Sequence, residues 1–315
     1  MKTIAILGAS GYIGRHLVTE LLHLEECRIK VLSRTGSLDF DCADARDRLV
    51  IFKGDLLSPT SLDGFFEANC TVVNLVYLWK TDEAGNLFAT HNLLNACTAA
   101  RVRRLIHCST AAVVGRVSIN LITENTIPNP VTEYGINKLK IEEAVINAAR
   151  RNFDVVILRP TAVFGPGGEP LKKLASDLMA GNRKRNYLKS SLFGKRRMNL
   201  VHISNVVAAI LFLIEYNKDL LGEIFIVSDD DNPNNNFMDI EHRLMQELHI
   251  PNYRFHFSIP LIVLKFLLIC LGRNNVNPYS NYAPEKLLGL GFHRPMNFDL
   301  GLKQYARWYQ KFHSK

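Results

Sequence analysis

The chain has 315 residues, 47% hydrophobic and 22% charged, which is enough apolar mass for one large domain with a smaller lobe and excludes a disordered or fibrous chain. Its formal charge of +8 and pI near 9.2 point to anionic partners: a phosphorylated small molecule, a membrane surface or nucleic acid. The cysteines, at Cys27, Cys42, Cys70, Cys97, Cys108 and Cys270, show no paired metal spacing, which predicts free thiols, a cytoplasmic setting and no metal site.

Residues 3–7 are apolar and run into a glycine turn, so they read as a buried first strand rather than a signal peptide. A turn over 8–14, a helix over 15–24 and strands over 29–32, 49–52 and 71–75 follow. A helix over 85–100, a strand over 104–108, a helix over 134–150 and a strand over 153–158 continue the alternation. Strands alternating with helices predict an α/β fold with a doubly wound parallel sheet. After Arg159-Pro160 the alternation weakens; 201–214 reads as a helix approach returning to the sheet and 223–227 as one more strand. The basic run 183–197 (RKRNYLKSSLFGKRR) reads as a solvated surface loop, and no nucleic-acid module surrounds it. Residues 257–271 are too short to span a bilayer and carry Lys265, so they read as a core helix, with weak peripheral contact with a membrane as the alternative.

Three stretches carry chemistry. Gly8-Ala9-Ser10-Gly11-Tyr12-Ile13-Gly14 lies between a strand and a helix, where backbone amides and a helix N-terminus receive a pyrophosphate. The second strand ends in Ser33-Arg34 with no carboxylate, a hydroxyl and a guanidinium that suit a 2′-phosphate, favouring NADP(H) over NAD(H). Tyr134 and Lys138 are four apart, so on a helix they share a face, and an ammonium beside a phenol lowers its pKa. Such a tyrosine exchanges protons near neutral pH.

With Gly54-Asp55-Leu56, Asn86 with Thr90 and Asn92-Leu93-Leu94, the run from Cys108 to Gly115 and that from Arg159 to Gly167, nearly the whole chain resembles the extended short-chain dehydrogenases/reductases of the NAD(P)-dependent nucleotide-sugar epimerase/dehydratase family. The segments 287–292 and 302–308 resemble that family's closing segment. The resemblance implies a Rossmann-like dinucleotide domain over 1–160, with 200–227 returning to it, and a smaller C-terminal substrate lobe from 161–199 and 228–315. It makes Thr110, Tyr134 and Lys138 catalytic: Tyr134 exchanges the proton, Thr110 binds the reacting oxygen and Lys138 holds the nicotinamide ribose. Cofactor contacts are expected from Gly8, Ser10, Gly11, Tyr12, Ile13, Gly14, Ser33, Arg34, Asp55, Leu56, Leu75, Lys138, Pro160 and Val163. Substrate contacts are expected from Ser109, Arg196 and Arg197, and a homodimer through helices 85–100 and 134–150.

Three positions depart from the family pattern. Ala111 and Ala112 stand where its dehydratases carry an Asp-Glu pair, which argues against a 4,6-dehydratase; Val114 replaces a tyrosine; Met198 replaces an arginine that clamps the nucleotide diphosphate. Arg34 favours a reductase, and Ser228-Asp229-Asp230-Asp231 with the segment 260–271 resembles subfamily members that reduce 4-keto-6-deoxy nucleotide sugars, which implies an NADP(H)-dependent 4-keto-6-deoxy nucleotide-sugar reductase of surface polysaccharide (lipopolysaccharide) biosynthesis. An NAD-dependent nucleotide-sugar 4-epimerase is the alternative, with a non-catalytic NADP-binding subunit behind it.

Overall fold

The computed structural model describes residues 2–24, 26–38, 40, 47–149, 153–255, 257–271 and 277–313; Cys42 and the expected helix end at Arg150 lie outside the described residues. The first half contains β1 (Lys2–Leu7), α1 (Tyr12–His23), β2 (Cys27–Ser33), β3 (Leu49–Lys53), β4 (Thr71–Asn74), α2 (Glu83–Ala100), β5 (Arg104–Cys108), β6 (Leu121–Ile122), α3 (Glu133–Ala149) and β7 (Asp154–Pro160). There follow β8 (Ala162–Phe164), α4 (Lys172–Met179), α5 (Arg183–Phe193), β9 (Leu200–His202), α6 (Ile203–Glu215), β10 (Glu223–Val227), α7 (Phe237–Glu247), α8 (Leu261–Cys270), β11 (Asn281–Tyr282), α9 (Glu285–Gly289) and α10 (Phe298–His313).

Seven strands form one sheet in the order β10-β7-β5-β4-β1-β2-β3, and every pair from β7 across to β3 is parallel. The apolar runs Ile4 to Leu7 and Val155 to Leu158 are buried along their length, as strands covered on both faces must be. From β1 the order runs outward in both directions, so the gap between the carboxyl ends of β1 and β4 is the switch point at which such sheets bind ligands.

The chain divides into two compact units, one of Met1–Val113, Glu133–Arg159 and Val207–Phe225 and the other of Val114–Thr132, Pro160–Val206 and Ile226–Lys315. The first packs Phe65, Leu93, Val145, Val155 and Ile157 into one core. Two buried ion pairs tie its elements together: Arg104 of β5 with Asp154 of β7 at 2.5 Å, and Arg159 of β7 with Glu142 of α3 at 2.5 Å. In the second unit Phe164, Leu171, Ile240, Leu244 and Tyr305 form a separate core. Two short parallel pairs, β6 with β11 and β8 with β9, brace it.

The structure corrects three sequence expectations. The basic run is helical over 183–193, as α5, and not a loop there: Asn182 caps its start by accepting the Arg185 amide, and Asp177 takes the charges of Arg185 at 2.7 Å and Lys189 at 2.5 Å. The segment 201–214 divides at Ile203 into β9 and α6. The apolar segment 257–271 yields the helix α8, but only Leu264 and Leu268 of it are buried, so it is not a core helix.

Glu241 of α7 is 1% exposed, and burial pushes its carboxyl up to about 7 although hydroxyls of Ser190 and Tyr253 bond to it. One of its oxygens, Oε2, has no hydrogen-bond partner. The folded carboxyl therefore keeps a proton that the unfolded chain releases near its ordinary value of 4.5. Its stabilisation is complete below that value and is lost as pH rises through about 7. Asp230, pushed up to about 6 by burial, acts in the same direction. Glu241→Gln is expected to raise the unfolding free energy at pH 8 by on the order of 1–3 kcal/mol and to change little at pH 4. Urea unfolding at the two pH values checks this; an equal effect at both would refute it.

Candidate active site

The glycine turn begins at the carboxyl end of β1. Gly8 has φ +86, and a methyl added there would lie 3.1 Å from the Leu75 carbonyl carbon, so the chain after β4 passes directly against it. A methyl at Gly14 would sit 2.2 Å from the Gly8 carbonyl oxygen, which only glycine allows. Gly11 is the N-cap of α1 and supplies no side-chain cap, and the first turn holds no acidic residue. The first turn of α1 thus has no side-chain cap and no acidic residue to compete with a ligand anion, and the cradle fits a dinucleotide pyrophosphate. Ser10 lies in this turn and Tyr12 and Ile13 open the helix, one turn earlier than the expected start.

The adenosine side is less open than the sequence suggests. The Ser33 hydroxyl donates to the Ser37 carbonyl at 3.0 Å and lies 3.2 Å from the Thr35 hydroxyl, so its donor is already used, whereas Arg34 is exposed. Asp55 accepts the Leu57 amide on Oδ1 at 2.9 Å, and its own amide bonds to Ser61 Oγ at 2.8 Å. Leu56 is buried, with its carbonyl held by Asn92 Nδ2 at 2.8 Å. This explains Asn92, which anchors the Gly54-Asp55-Leu56 turn from α2.

The reacting end is carried by β5 and α3. Tyr134 stands in the first turn of α3, and its phenol is hydrogen-bonded to the Thr110 side chain. Thr110 Oγ1 also accepts the Ala112 amide at 3.2 Å, which fixes the hydroxyl. Ser109 Oγ is buried without a hydrogen-bond partner, so Thr110 and not Ser109 is the hydroxyl joined to the tyrosine. Neither Ala111 nor Ala112 offers a carboxyl group beside it.

Lys138 does not act on the phenol as its spacing predicts. Its Nζ donates to the Cys108 carbonyl at 2.7 Å and lies 3.4 Å from His107 Nε2. Tyr134 is instead pushed up to about 12, chiefly by burial, with the Thr110 bond opposing. Sharing a helix face fixes the two Cα positions, not the end of a flexible four-carbon stem. Burial lowers the Lys138 pKa, and burial with the Lys138 charge holds His107 well below its usual range. Asn74 Oδ1 accepts the Val76 amide at 3.1 Å, and its Nδ2 lies 3.1 Å from His107 Nδ1.

Sequence reasoning missed four contributors here. Trp79 stacks on the Tyr134 ring with centroids 5.0 Å apart and planes 15° apart, and Tyr77 meets it edge-on at 4.9 Å. Asn74 and His107 sit at facing positions of β4 and β5. The available signal was polar residues ending two adjacent apolar strands.

The remaining expected residues lie in the second unit. Pro160 ends β7 and Val163 is in β8. Arg197 spends its guanidinium on protein oxygens: Asn281 Oδ1 at 2.5 Å, the carbonyls of Asn232 at 3.2 Å and Pro233 at 3.3 Å, and the Asp230 carbonyl. That commitment corrects its expected part as a substrate clamp. Arg196 stands over the Phe193 ring at 5.7 Å, and Met198 packs against the core. The three aspartates are structural as well: Asp229 accepts the His202 amide, Asp230 accepts Asn199 and Asn235, and Asp231 pairs with Arg294.

A parallel sheet with a glycine cradle at its switch point and tyrosine, threonine and lysine beyond its carboxyl edge defines an NAD(P)-dependent enzyme of the short-chain dehydrogenase/reductase type. A family model described as NAD dependent epimerase/dehydratase family matches residues 4–228, and the chain belongs to that family. Among curated relatives, UDP-glucose 4-epimerase of Vibrio cholerae is 26% identical over 242 residues, 72% of this chain and 71% of that protein. The decarboxylating sterol-4-alpha-carboxylate 3-dehydrogenase of Candida albicans is 26% identical over 259 residues, 73% of this chain and 71% of that one. The dTDP-D-glucose 4,6-dehydratase of Dictyostelium discoideum is 25% identical, and this chain spans 59% of its length. Among solved structures, UDP-glucuronic acid 4-epimerase from Bacillus cereus in complex with NAD superposes with a TM-score of 0.72 at 19% identity, covering 99% of this chain and 98% of that one. The dTDP-glucose 4,6-dehydratase from Bacillus anthracis with NAD gives 0.73 at 16% identity, over 100% and 98% of the two chains. These likenesses establish the fold.

Proposed function

We propose that the protein is an NADP(H)-dependent reductase of a nucleotide-linked keto sugar, a 4-keto-6-deoxy sugar of the kind built into surface polysaccharide. The observation that carries this is a phenol pushed up to about 12 and bonded to Thr110, with alanines where a dehydratase needs carboxyl groups. A phenol protonated through the physiological range is a donor, and carbonyl reduction calls for one. Names of relatives acting on UDP- and dTDP-sugars support the substrate class.

Bound NADPH would supply the hydride that reduces the sugar carbonyl, and Tyr134 would give the carbonyl oxygen its proton. Thr110 would orient that oxygen, Lys138 would hold the nicotinamide ribose, the Gly8–Gly14 cradle the pyrophosphate and Arg34 the 2′-phosphate. Arg196 is the remaining candidate clamp for the sugar diphosphate.

The NAD held by the neighbouring epimerase structure favours a second reading, a 4-epimerase that returns the hydride to its own substrate. Mixing the enzyme with NADPH and dTDP-4-keto-6-deoxyglucose, or with UDP-glucose and NAD, separates the two: loss of absorbance at the reduced nicotinamide band supports reduction, and epimerisation without it supports the alternative. Arg34→Asp is expected to lower kcat/KM for NADPH by about 10- to 100-fold while sparing NADH, the loss of one charge-assisted phosphate contact. Equal losses with both cofactors would remove Arg34 from the 2′-phosphate site.

A further inference from the structure

We propose that the apolar helix α8 and the basic helix α5 beside it form a docking surface for an anionic lipid bilayer. The two are neighbours within the second unit: the Ile259 amide donates to the Ser191 carbonyl at 2.9 Å and the Phe257 amide to Tyr187 Oη at 3.2 Å. Gly194, at the end of α5, passes so close to Ser258 that an added methyl would meet its Cβ at 3.1 Å.

The sequence of α8, LIVLKFLLIC, is apolar all round except for Lys265, yet only the stripe of Leu264 and Leu268 is buried. The opposite stripe, Ile262, Phe266 and Ile269, is open to solvent, with Ile262 64% and Phe266 66% exposed. Phe257 before the helix, Leu271 after it and Leu188 of α5 are exposed as well. Large aliphatic and aromatic side chains gathered on the open face of one helix mark an interaction site. With ten residues the helix is about 15 Å long, half the thickness of a bilayer core of ~30 Å, so it has the length to lie in an interface and not to cross one. No helix among the described residues is long and apolar enough to span a membrane.

Charge selects the occupant. Residues 183–197 hold seven Lys or Arg and no Asp or Glu, and 253–271 add Arg254 and Lys265 with no carboxylate. Asp177 and Asp239 pair with Arg185, Lys189 and Lys195, while Arg183, Lys184, Arg254 and Lys265 have no carboxylate partner among the described residues. A second copy of this surface would set cations against cations. Nucleic acid would satisfy the cations and leave Ile262 and Phe266 in water. An anionic bilayer receives both, the apolar stripe at the acyl boundary and the cations among the lipid phosphates.

The full chain is to be sedimented with vesicles of phosphatidylcholine alone and of equimolar phosphatidylcholine and phosphatidylglycerol. Binding to the anionic vesicles is expected at least about tenfold above the neutral ones, weakening as salt rises. The pair Ile262→Ser and Phe266→Ser is expected to lose that binding. The pair Lys184→Glu and Arg254→Glu is expected to weaken it by more than about tenfold, since each basic residue near such a surface contributes about fivefold. All four positions are at the surface, so thermal unfolding and dinucleotide binding should match the wild type and report that the variants fold. Equal partitioning into neutral vesicles, no partitioning at all, or vesicle binding unchanged in the serine variant would overturn the proposal. So would a wild-type dimer that the serine variant converts to monomer without any vesicle binding, since the patch would then be a subunit interface.

Discussion

Tyr134→Phe is expected to lower turnover by about two to four orders of magnitude while leaving dinucleotide affinity within about twofold. The selectivity of the effect follows from the surroundings of the ring. Trp79 stacks on it and Tyr77 packs edge-on, contacts that phenylalanine keeps. What is lost is the oxygen bonded to Thr110. The cradle around Gly8, Gly11 and Gly14 is untouched, so binding of the reduced cofactor, followed by fluorescence titration, reports an intact site. Single-turnover oxidation of bound NADPH then isolates the chemical step. With the phenol at about 12, the reductive rate should also stay level through neutral pH, because the donor remains protonated there. A Tyr134→Phe enzyme retaining a third of the wild-type single-turnover rate would show that another group delivers the proton.

The sheet was legible because buried parallel strands are short apolar runs, and here glycines and charges bracket them. Residues 104–108 and 223–227 match β5 and β10 residue for residue, and the helical spacing of Tyr134 and Lys138 is realised in α3. Spacing could not say where the Lys138 amine goes, because that depends on the Cys108 carbonyl, which arrives from a distant stretch of chain. Trp79 escaped notice because it lies between β4 and α2, where no periodicity marks which side chain turns toward a partner. Helix α5 was hidden by its charge: the four cations it carries, and three more just beyond it, read as a solvated loop unless Asn182 is recognised as a cap and Asp177 as a counter-charge. Periodicity was silent on α8 for the opposite reason, since a helix apolar on every side does not reveal which stripe is covered. Arg197 shows the remaining gap. A guanidinium near an expected diphosphate site looks like a clamp until its acceptors, spread over residues 230–281, are brought together by folding.

Asp154→Ala is expected to be the most destabilising single change in the first unit, costing about 3–5 kcal/mol of a total that for a domain is about 5–15 kcal/mol. Asp154 is 6% exposed and Arg104 1%, so neither has water to fall back on. Asp154 Oδ2 receives Arg104 Nε at 2.5 Å, and Oδ1 accepts the amides of Leu220 and Leu221, each at 2.8 Å. Arg104 in turn donates to the carbonyls of Leu213 at 2.7 Å, Tyr216 at 2.6 Å and Lys218 at 2.5 Å. Two charges thus close off the chain between α6 and β10 against β5 and β7. Removing the carboxylate leaves a buried cation without its counter-ion and two amides without acceptors. Arg104→Met alone should cost less, since methionine keeps most of the volume and the Asp154 carboxylate still accepts the amides of Leu220 and Leu221. Pairing Arg104→Met with Asp154→Ala should then recover part of the loss, because no unpaired charge is left inside. Urea unfolding of the wild type, both single variants and the pair forms a complete cycle, with the slope of the transition checking that the unfolded states are alike. A cost below about 1 kcal/mol for Asp154→Ala, or a double variant as unstable as the two losses added, would show that the pair is not coupled and that strand pairing and apolar packing hold β5 and β7 without it.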